Sequence, residues 1–195
     1  MFQIPCVIFA GGKSSRMGED KALLPFADQA TLTEYQLNQY TKIFQTVYIS
    51  CKSSRKFNFQ ANYIEDLDEE LFAPTAAFVS IFSKLQCERF FAISVDTPFV
   101  SLDVITKIIS QDTPENDATI ARLHDQIQPL CGIYHISLKQ KFEDMQKNNI
   151  HKLNHLLKHS HVKFVEFIDE TPFLNLNNPR EYNDALAIIN GEKNG

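Results

Sequence analysis

Three short segments of this 195-residue chain carry residue types and spacings suited to handling phosphates. The first is Ala10-Gly11-Gly12-Lys13-Ser14-Ser15-Arg16-Met17-Gly18-Glu19-Asp20-Lys21. Its paired glycines let the backbone approach a ligand closely, and the N–H groups that follow can form a nest for phosphate oxygens. Lys13, Arg16 and Lys21 place three cations within nine residues, a density that a neutral or cationic ligand would hardly require. Such a loop could stabilise charge developing on a transferring phosphoryl group. It follows neither common nucleotide grammar. G-x-G-x-x-G is missing, and Gly12 to Gly18 followed by Glu19 does not satisfy G-x-x-x-x-G-K-[ST]. The bland alternative is a solvated turn with scattered basic residues.

The second segment is Ser94-Val95-Asp96-Thr97-Pro98-Phe99. A carboxylate leaving a buried strand can hold Mg²⁺ while the metal keeps waters and touches phosphates. The same residues also read as an ordinary helix-start signal. The third is Phe173-Leu174-Asn175-Leu176-Asn177-Asn178-Pro179. If it runs extended, Asn175 and Asn177 share one face and Leu174 and Leu176 the other. Two carboxamide oxygens beside Asp96 could then complete a hard-metal site. Asn177-Asn178-Pro179 equally suits a turn and helix cap, and both roles are compatible.

These segments need elements to position them. Continuous apolar runs at 6–10 and 90–95 read as strands covered on both faces, with further strands at 46–50, 61–64, 118–121, 129–134 and 162–167. Helical periodicity occupies 31–44, 137–146 and 151–158. Pro74 opens a helix reaching about residue 85, Ser101 caps another, and Pro179 begins a terminal one. Strands alternating with helices predict an α/β fold, a Rossmann-like three-layer sandwich with a mostly parallel central sheet. The hairpin-like interval at 118–134 adds an antiparallel strand. Residues 1–190 form one domain, followed by a polar tail at 191–195. An open parallel sheet binds its ligand at the carboxyl ends of its strands, where all three segments fall.

Composition narrows the partners. With 44% hydrophobic and 22% charged residues the chain is ordinary globular protein. A chain this long buries about 70% of its surface on folding, enough for a core without disulfides. The formal net charge of −5 disfavours a broad nucleic-acid face. No run is long and apolar enough for a membrane span, and the N-terminal residues lack a basic leader. Cys6, Cys51, Cys87 and Cys131 lack paired metal spacing and read as buried thiols of a reducing, cytoplasmic compartment.

Together the segments resemble the molybdenum cofactor guanylyltransferases, a branch of the nucleotidyltransferases. Residues 9–24 look like that family's signature almost throughout. Ile64-Glu65-Asp66, Val95-Asp96-Thr97-Pro98, Gln128-Pro129-Leu130 and Asn175-Leu176-Asn177-Asn178-Pro179 follow in the expected order. The resemblance implies transfer of GMP from GTP to the terminal phosphate of molybdopterin or Mo-molybdopterin, releasing pyrophosphate. Ala10, Gly11, Gly12, Lys13, Ser14, Ser15, Met17 and Gly18 would cradle the nucleotide phosphates. Arg16 and Lys21 would neutralise the leaving group, and Asp96 would hold Mg²⁺ with Asn177 or Asn175. Asp66 would line the nucleotide side, as a guanine or a ribose contact. Gln128 and Pro129 would lie on the pterin side. Implied partners are the proteins that make the pterin and the enzymes that accept the dinucleotide, through transient contacts.

One departure bears on nucleotide choice. Where the family usually has Gly-Pro-Leu-x-Gly, this chain reads Ala73-Pro74-Thr75-Ala76-Ala77, which adds methyl groups where backbone would approach the base. A cytidylyltransferase therefore stays open as an alternative, as does a non-catalytic nucleotide- or cofactor-delivery protein. Three further features offer other chemistry. His151, His155 and His159 at spacings of four could form a metal row on a helix, or simply a solvated face. Cys131, beside the pterin segment, could meet molybdenum or serve as a core thiol. Phe57 and Phe59 would cover a sheet edge or a partner surface.

Overall fold

The structure, a computed structural model, describes residues 1–12, 18–67 and 74–191. Seven strands, β1 (Cys6–Phe9), β2 (Val47–Cys51), β3 (Asn62–Glu65), β4 (Arg89–Ser94), β5 (Ala118–Leu123), β6 (Gln126–His135) and β7 (Val162–Phe167), form one sheet in the order β3-β2-β1-β4-β6-β5-β7. Every strand points the same way except β6, which is antiparallel to both β4 and β5. The chain leaves β1 toward β2 on one side and returns to β4 on the other. The carboxyl ends of β1 and β4 therefore flank a topological switch point.

Alternate residues of the central strands supply the two faces. Cys6 and Ile8 of β1 and Phe91 and Ile93 of β4 join one core; Val7, Phe9, Phe90 and Ala92 join the other. The first core is closed by α1 (Leu32–Tyr40), α3 (Leu102–Ser110) and α6 (Pro179–Ile189) through Leu32, Val104, Ile105, Ile108 and Ala185. The second is closed by α2 (Pro74–Lys84), α4 (Lys139–Lys147) and α5 (Leu153–Lys158). There Phe78 stacks on Phe142 with ring centres 4.3 Å apart. The result is the three-layer α/β sandwich expected from the sequence.

The expected antiparallel strand is β6, which lies inside the sheet between β4 and β5 and begins earlier than residue 129. Its first half is only partly buried while its last five residues are fully buried. Polar Gln126 and Gln128 therefore hide its start from a reading based on apolar runs. α1 stops at Tyr40 rather than 44, because Phe44 is taken up by a bridge to Phe2. α5 begins at Leu153, so His151 lies outside it and binds Thr75, while His155 and His159 pack on each other. No helix aligns the three histidines. Phe57 stacks on Tyr63 of edge strand β3, and Phe59 packs beside both. Among the described residues, no helix is long and apolar enough to cross a membrane.

Two features of the sheet carry measurable stability. A Cβ on Gly132 would lie 2.4 Å from the Thr119 carbonyl oxygen and 2.8 Å from Ile120 Cα, where β5 and β6 shift register. Gly132→Ala is expected to cost about 1–3 kcal/mol, read as a fall in thermal midpoint of several degrees. At the amino ends of β4 and β5, the Asp112 side chain is fully buried and bound by Arg89, Thr119 at 2.6 Å and His135 at 3.0 Å. Burial pushes its carboxyl up, but the hydrogen bonds from His135 and Thr119 and the nearby charges outweigh that and hold it below the usual range. Its stabilisation is present above the unfolded-state value near 4 and is lost as pH falls through the folded one. Asp112→Asn should cost about 2–3 kcal/mol at neutral pH and flatten the acid limb of a denaturation-versus-pH series.

Candidate functional site

The site assembles at the carboxyl edge of the sheet from backbone devices that aim a few side chains. Asp20 caps the turn Lys21–Leu23 by accepting from Ala22 N at 3.0 Å, and Thr33 of α1 donates to the Ala22 carbonyl at 2.7 Å. Lys21 is thereby pointed across the sheet edge. Its ammonium lies 3.2 Å from Asp96 Oδ2 and 3.1 Å from Asn177 Oδ1. Lys56, from the turn after β2, donates to the Ala10 carbonyl at 3.0 Å and to Asp20 Oδ2 at 2.7 Å. One cation thus ties together the chain entering and leaving residues 11–19.

Asp96 is fixed from three directions. Gln36, buried in α1, donates through Nε2 to the carbonyls of Ser94 and Val95. Thr97 folds back onto the Ser94 carbonyl, and Leu176 N donates to the Asp96 carbonyl at 2.9 Å. That last bond brings the 174–178 segment alongside. Asn178 then caps α6 by accepting from Glu181 N, while Glu181 accepts from Asn177 N at 2.7 Å. This reciprocal cap holds Asn177 against Lys21. Asp96 Oδ1 is buried and has no hydrogen-bond partner among the described residues.

Two clefts meet at Asp96. The larger, about 330 Å³, is lined by Ala10, Gly11, Gly12, Lys21, Lys52, Asp66, Pro74, Ala77, Asp96 and Asn177 among others. The smaller, about 230 Å³, is lined by Asp96, Gln128, Pro129, Leu130, Cys131, Leu153, Phe173 and Asn175 among others. Because β6 is antiparallel, its entry rather than its exit reaches the carboxyl edge. Register pairs Ile93 with Cys131, so residues 128–130 run beside the Asp96 exit. At Gly12, which lines the larger cleft, a Cβ would meet nothing within 4 Å among the described residues.

Most of the expected site residues that the structure describes converge on these clefts, with one correction. Asn175 and Asn177 do not share a face: Asn177 lines the larger cleft and Asn175 the smaller. The turn Thr171–Phe173 and the bond from Asn175 Nδ2 to the Phe173 carbonyl break the alternation, leaving Leu174 half-exposed and Leu176 buried. Gly18 has φ +74° and stands outside the lining of either cleft. Lys13, Ser14, Ser15, Arg16 and Met17, and Ala73 of the departing segment, lie outside the described residues. Cys131 is a core thiol whose pKa burial pushes up to about 12, which keeps it protonated at neutral pH.

Sequence reasoning missed Lys52, whose Nζ lies 3.0 Å from Asp66 Oδ2 in the wall of the larger cleft. It also missed Lys56 and Gln36. A lysine just past an apolar strand was the available signal for Lys52, but its partner is set only by strand register.

Comparison with known proteins agrees with this geometry. Residues 6–164 match the family model of the MobA-like NTP transferase domain. A molybdenum cofactor guanylyltransferase of Campylobacter jejuni subsp. doylei is 40% identical over 181 residues, covering 92% of this chain and 94% of that protein. One from Helicobacter pylori strain G27 is 32% identical over 197 residues, covering 98% and 96%. Among solved structures, the molybdopterin-guanine dinucleotide biosynthesis protein A of Archaeoglobus fulgidus shares the fold at TM-score 0.83 and 21% identity, over 96% of this chain and all of that one. A glycine-edged cleft at the switch point, a lysine–carboxylate–carboxamide contact at its floor and these relatives point one way: the chain belongs to the molybdenum cofactor guanylyltransferases of the MobA-like nucleotidyltransferase family.

Proposed function

We propose that the protein transfers GMP from GTP to the terminal phosphate of molybdopterin or Mo-molybdopterin, giving the guanine dinucleotide cofactor and pyrophosphate. The observation that carries this reading is Asp96 as the shared wall of two clefts. A transfer reaction needs two ligands meeting at one charged point, whereas a simple nucleotide binder needs one cleft. Kinship with relatives named for this activity supports the assignment.

In this reading the nucleotide occupies the larger cleft, its phosphates over Gly11, Gly12 and Lys21, and the pterin occupies the smaller one beside Gln128, Pro129 and Asn175. An oxygen of the pterin's terminal phosphate attacks the α-phosphorus of GTP. A new P–O bond forms, the bond from the α-phosphorus to the bridging oxygen breaks, and pyrophosphate leaves with that electron pair. The acceptor is itself the nucleophile, so no side-chain nucleophile is required. Lys21 and Arg16 neutralise the departing charge, and positioning supplies most of the remaining rate.

The residues present fit a hard divalent cation. Among the described residues Asp96 Oδ1 is buried without a partner, and Asp96 Oδ2 and Asn177 Oδ1 already converge on a positive charge, the Lys21 ammonium. No three His, Cys, Asp or Glu side chains among the described residues gather as a metal site, so substrate phosphates and waters would complete the shell, as Mg²⁺ prefers. Mg²⁺ held by Asp96 and Asn177 would supply charge neutralisation at the transferring phosphoryl group. The four free thiols suit a reducing cytoplasm, with passing contacts to the proteins that supply the pterin and accept the product.

Pyrophosphate release from each of the four nucleoside triphosphates, with and without molybdopterin and Mg²⁺, tests the reading. Release from GTP only when pterin and metal are present is expected. Release from CTP instead moves the protein to the cytidylyl alternative, and binding of both ligands without release makes it a delivery protein. Asp96→Asn should lower kcat by about 10²–10³ while leaving the thermal midpoint within a few degrees. Lys21→Met should lose a similar factor in the transfer step. Wild-type turnover in either variant removes that residue from the site.

A further inference from the structure

Among the described residues, three carboxylates line the larger cleft, Asp20, Asp66 and Asp96, against two lysines, Lys21 and Lys52. Lys21 pairs with Asp96 and Lys52 with Asp66. The third carboxylate takes its cation from outside the lining, from Lys56 at 2.7 Å. A braced turn delivers that lysine. Ser53 caps Ser54–Lys56 by accepting from Arg55 N, and Glu65 at the end of β3 accepts from Ser54 N at 2.7 Å. Phe57, the next residue, is buried, and the Lys56 ammonium lies 5.0 Å from its ring centre. The ammonium reaches back to the sheet edge, where it donates to the Ala10 carbonyl at 3.0 Å as well as to Asp20.

The Lys56 and Asp20 side chains are 21% and 34% exposed, and an ion pair that open to water adds little to folding. Its place beside the cleft matters more. A nucleoside triphosphate stays anionic even with one divalent cation bound. An unpaired carboxylate in the wall of its cleft would repel it, because a partly enclosed site screens charge poorly. Asp20 nonetheless has a task there: its Oδ1 caps the turn that carries Lys21, accepting from Ala22 N at 3.0 Å. Lys56 binds the other oxygen, Oδ2. One carboxylate thus aims a cleft lysine through one oxygen and meets its counter-ion through the other.

We propose that Lys56 is a positioning residue for nucleotide binding: it neutralises Asp20, so that this carboxylate holds the Lys21 turn without repelling the triphosphate. This rests on the reading of the larger cleft as the nucleotide's site. Lys56 then acts through Asp20 rather than on the phosphates. A lysine that bound phosphate itself would be needed whatever stood at position 20. One that only braced the fold would be needed for stability, and its loss would not separate binding from turnover. One that neutralises Asp20 becomes dispensable once that charge is gone.

The test measures direct GTP binding, and kcat and KM for GTP in the pterin-dependent reaction, for Lys56→Met, Asp20→Asn and the double variant. Asparagine keeps a side-chain oxygen for the cap and removes the charge. Lys56→Met should weaken GTP binding and raise its KM about 10-fold, with kcat within about threefold and the thermal midpoint within a few degrees. Adding Asp20→Asn to Lys56→Met should return binding and KM to within about threefold of the wild type. Wild-type affinity in Lys56→Met, with or without a fall in kcat, overturns the proposal. So does a double variant as impaired as the single one. Should Lys56→Met not fold, Asp20→Asn alone decides: GTP affinity at or above that of the wild type is expected, and a loss of about 10-fold overturns the neutralising role. A wild type that binds no GTP defeats the parent reading instead, a result seen before any variant is made.

Discussion

A carboxylate at the exit of a buried strand is best held where a cation and hydrogen-bond donors can meet it. Asp96 draws in Lys21 from a turn 75 residues earlier, and the same ammonium binds Asn177. Much of the surrounding architecture exists to make this meeting possible. The Asp20 cap aims the lysine, Gln36 pins the strand exit, and the Asn178–Glu181 cap sets the carboxamide. Each device is a local backbone solution, yet together they join three distant parts of the chain. The arrangement is charge-balanced before any ligand arrives, so the site need not reorganise far to accept one.

The antiparallel strand has an equally direct consequence. In a purely parallel sheet every carboxyl edge is built from strand exits and the loops after them. Reversal of β6 brings the start of a strand to that edge, so Gln128 and Pro129 stand on relatively rigid backbone rather than in a crossover loop. Rigid placement suits a pocket that must hold a phosphate within reach of another ligand.

The legible parts of this fold were those governed by local rules. The runs at β1, β4 and β7 declare themselves because strands buried on both faces, or closing an edge, need near-continuous apolar or β-branched residues. Pro74, Ser101 and Pro179 mark helix starts, since each satisfies a requirement of the first turn that sequence alone displays. The opening of β6 was hidden because its residues face the cleft and are polar. Asn175 and Asn177 would share a face only if residues 173–177 ran extended, and that condition fails because Phe173 closes a 3₁₀ turn and Asn175 bonds back to its carbonyl. Lys52 stayed invisible for a different reason. Its meaning depends on Asp66, and no rule of spacing joins residues whose neighbours are paired across strands. Motif resemblance named most of the polar groups on the cleft floor, but strand register alone revealed the ion pair in its wall.

Asp96 is the residue through which the two clefts touch, apart from its strand neighbours Ser94 and Leu130. The segment before α6 gives Asn177 to one cleft and Asn175 to the other; otherwise one takes its walls from β1, the turn Lys21–Leu23, the ends of β2 and β3, and α2, and the other from Thr97, β6, α5 and Phe173. Substitutions confined to either set lie on different elements with few shared partners, the condition under which their energetic effects add rather than couple. The scaffold is therefore modular in an evolutionary sense. A lineage could exchange the molecule that receives the nucleotidyl group while leaving its choice of nucleotide intact, provided that the single carboxylate between them is kept.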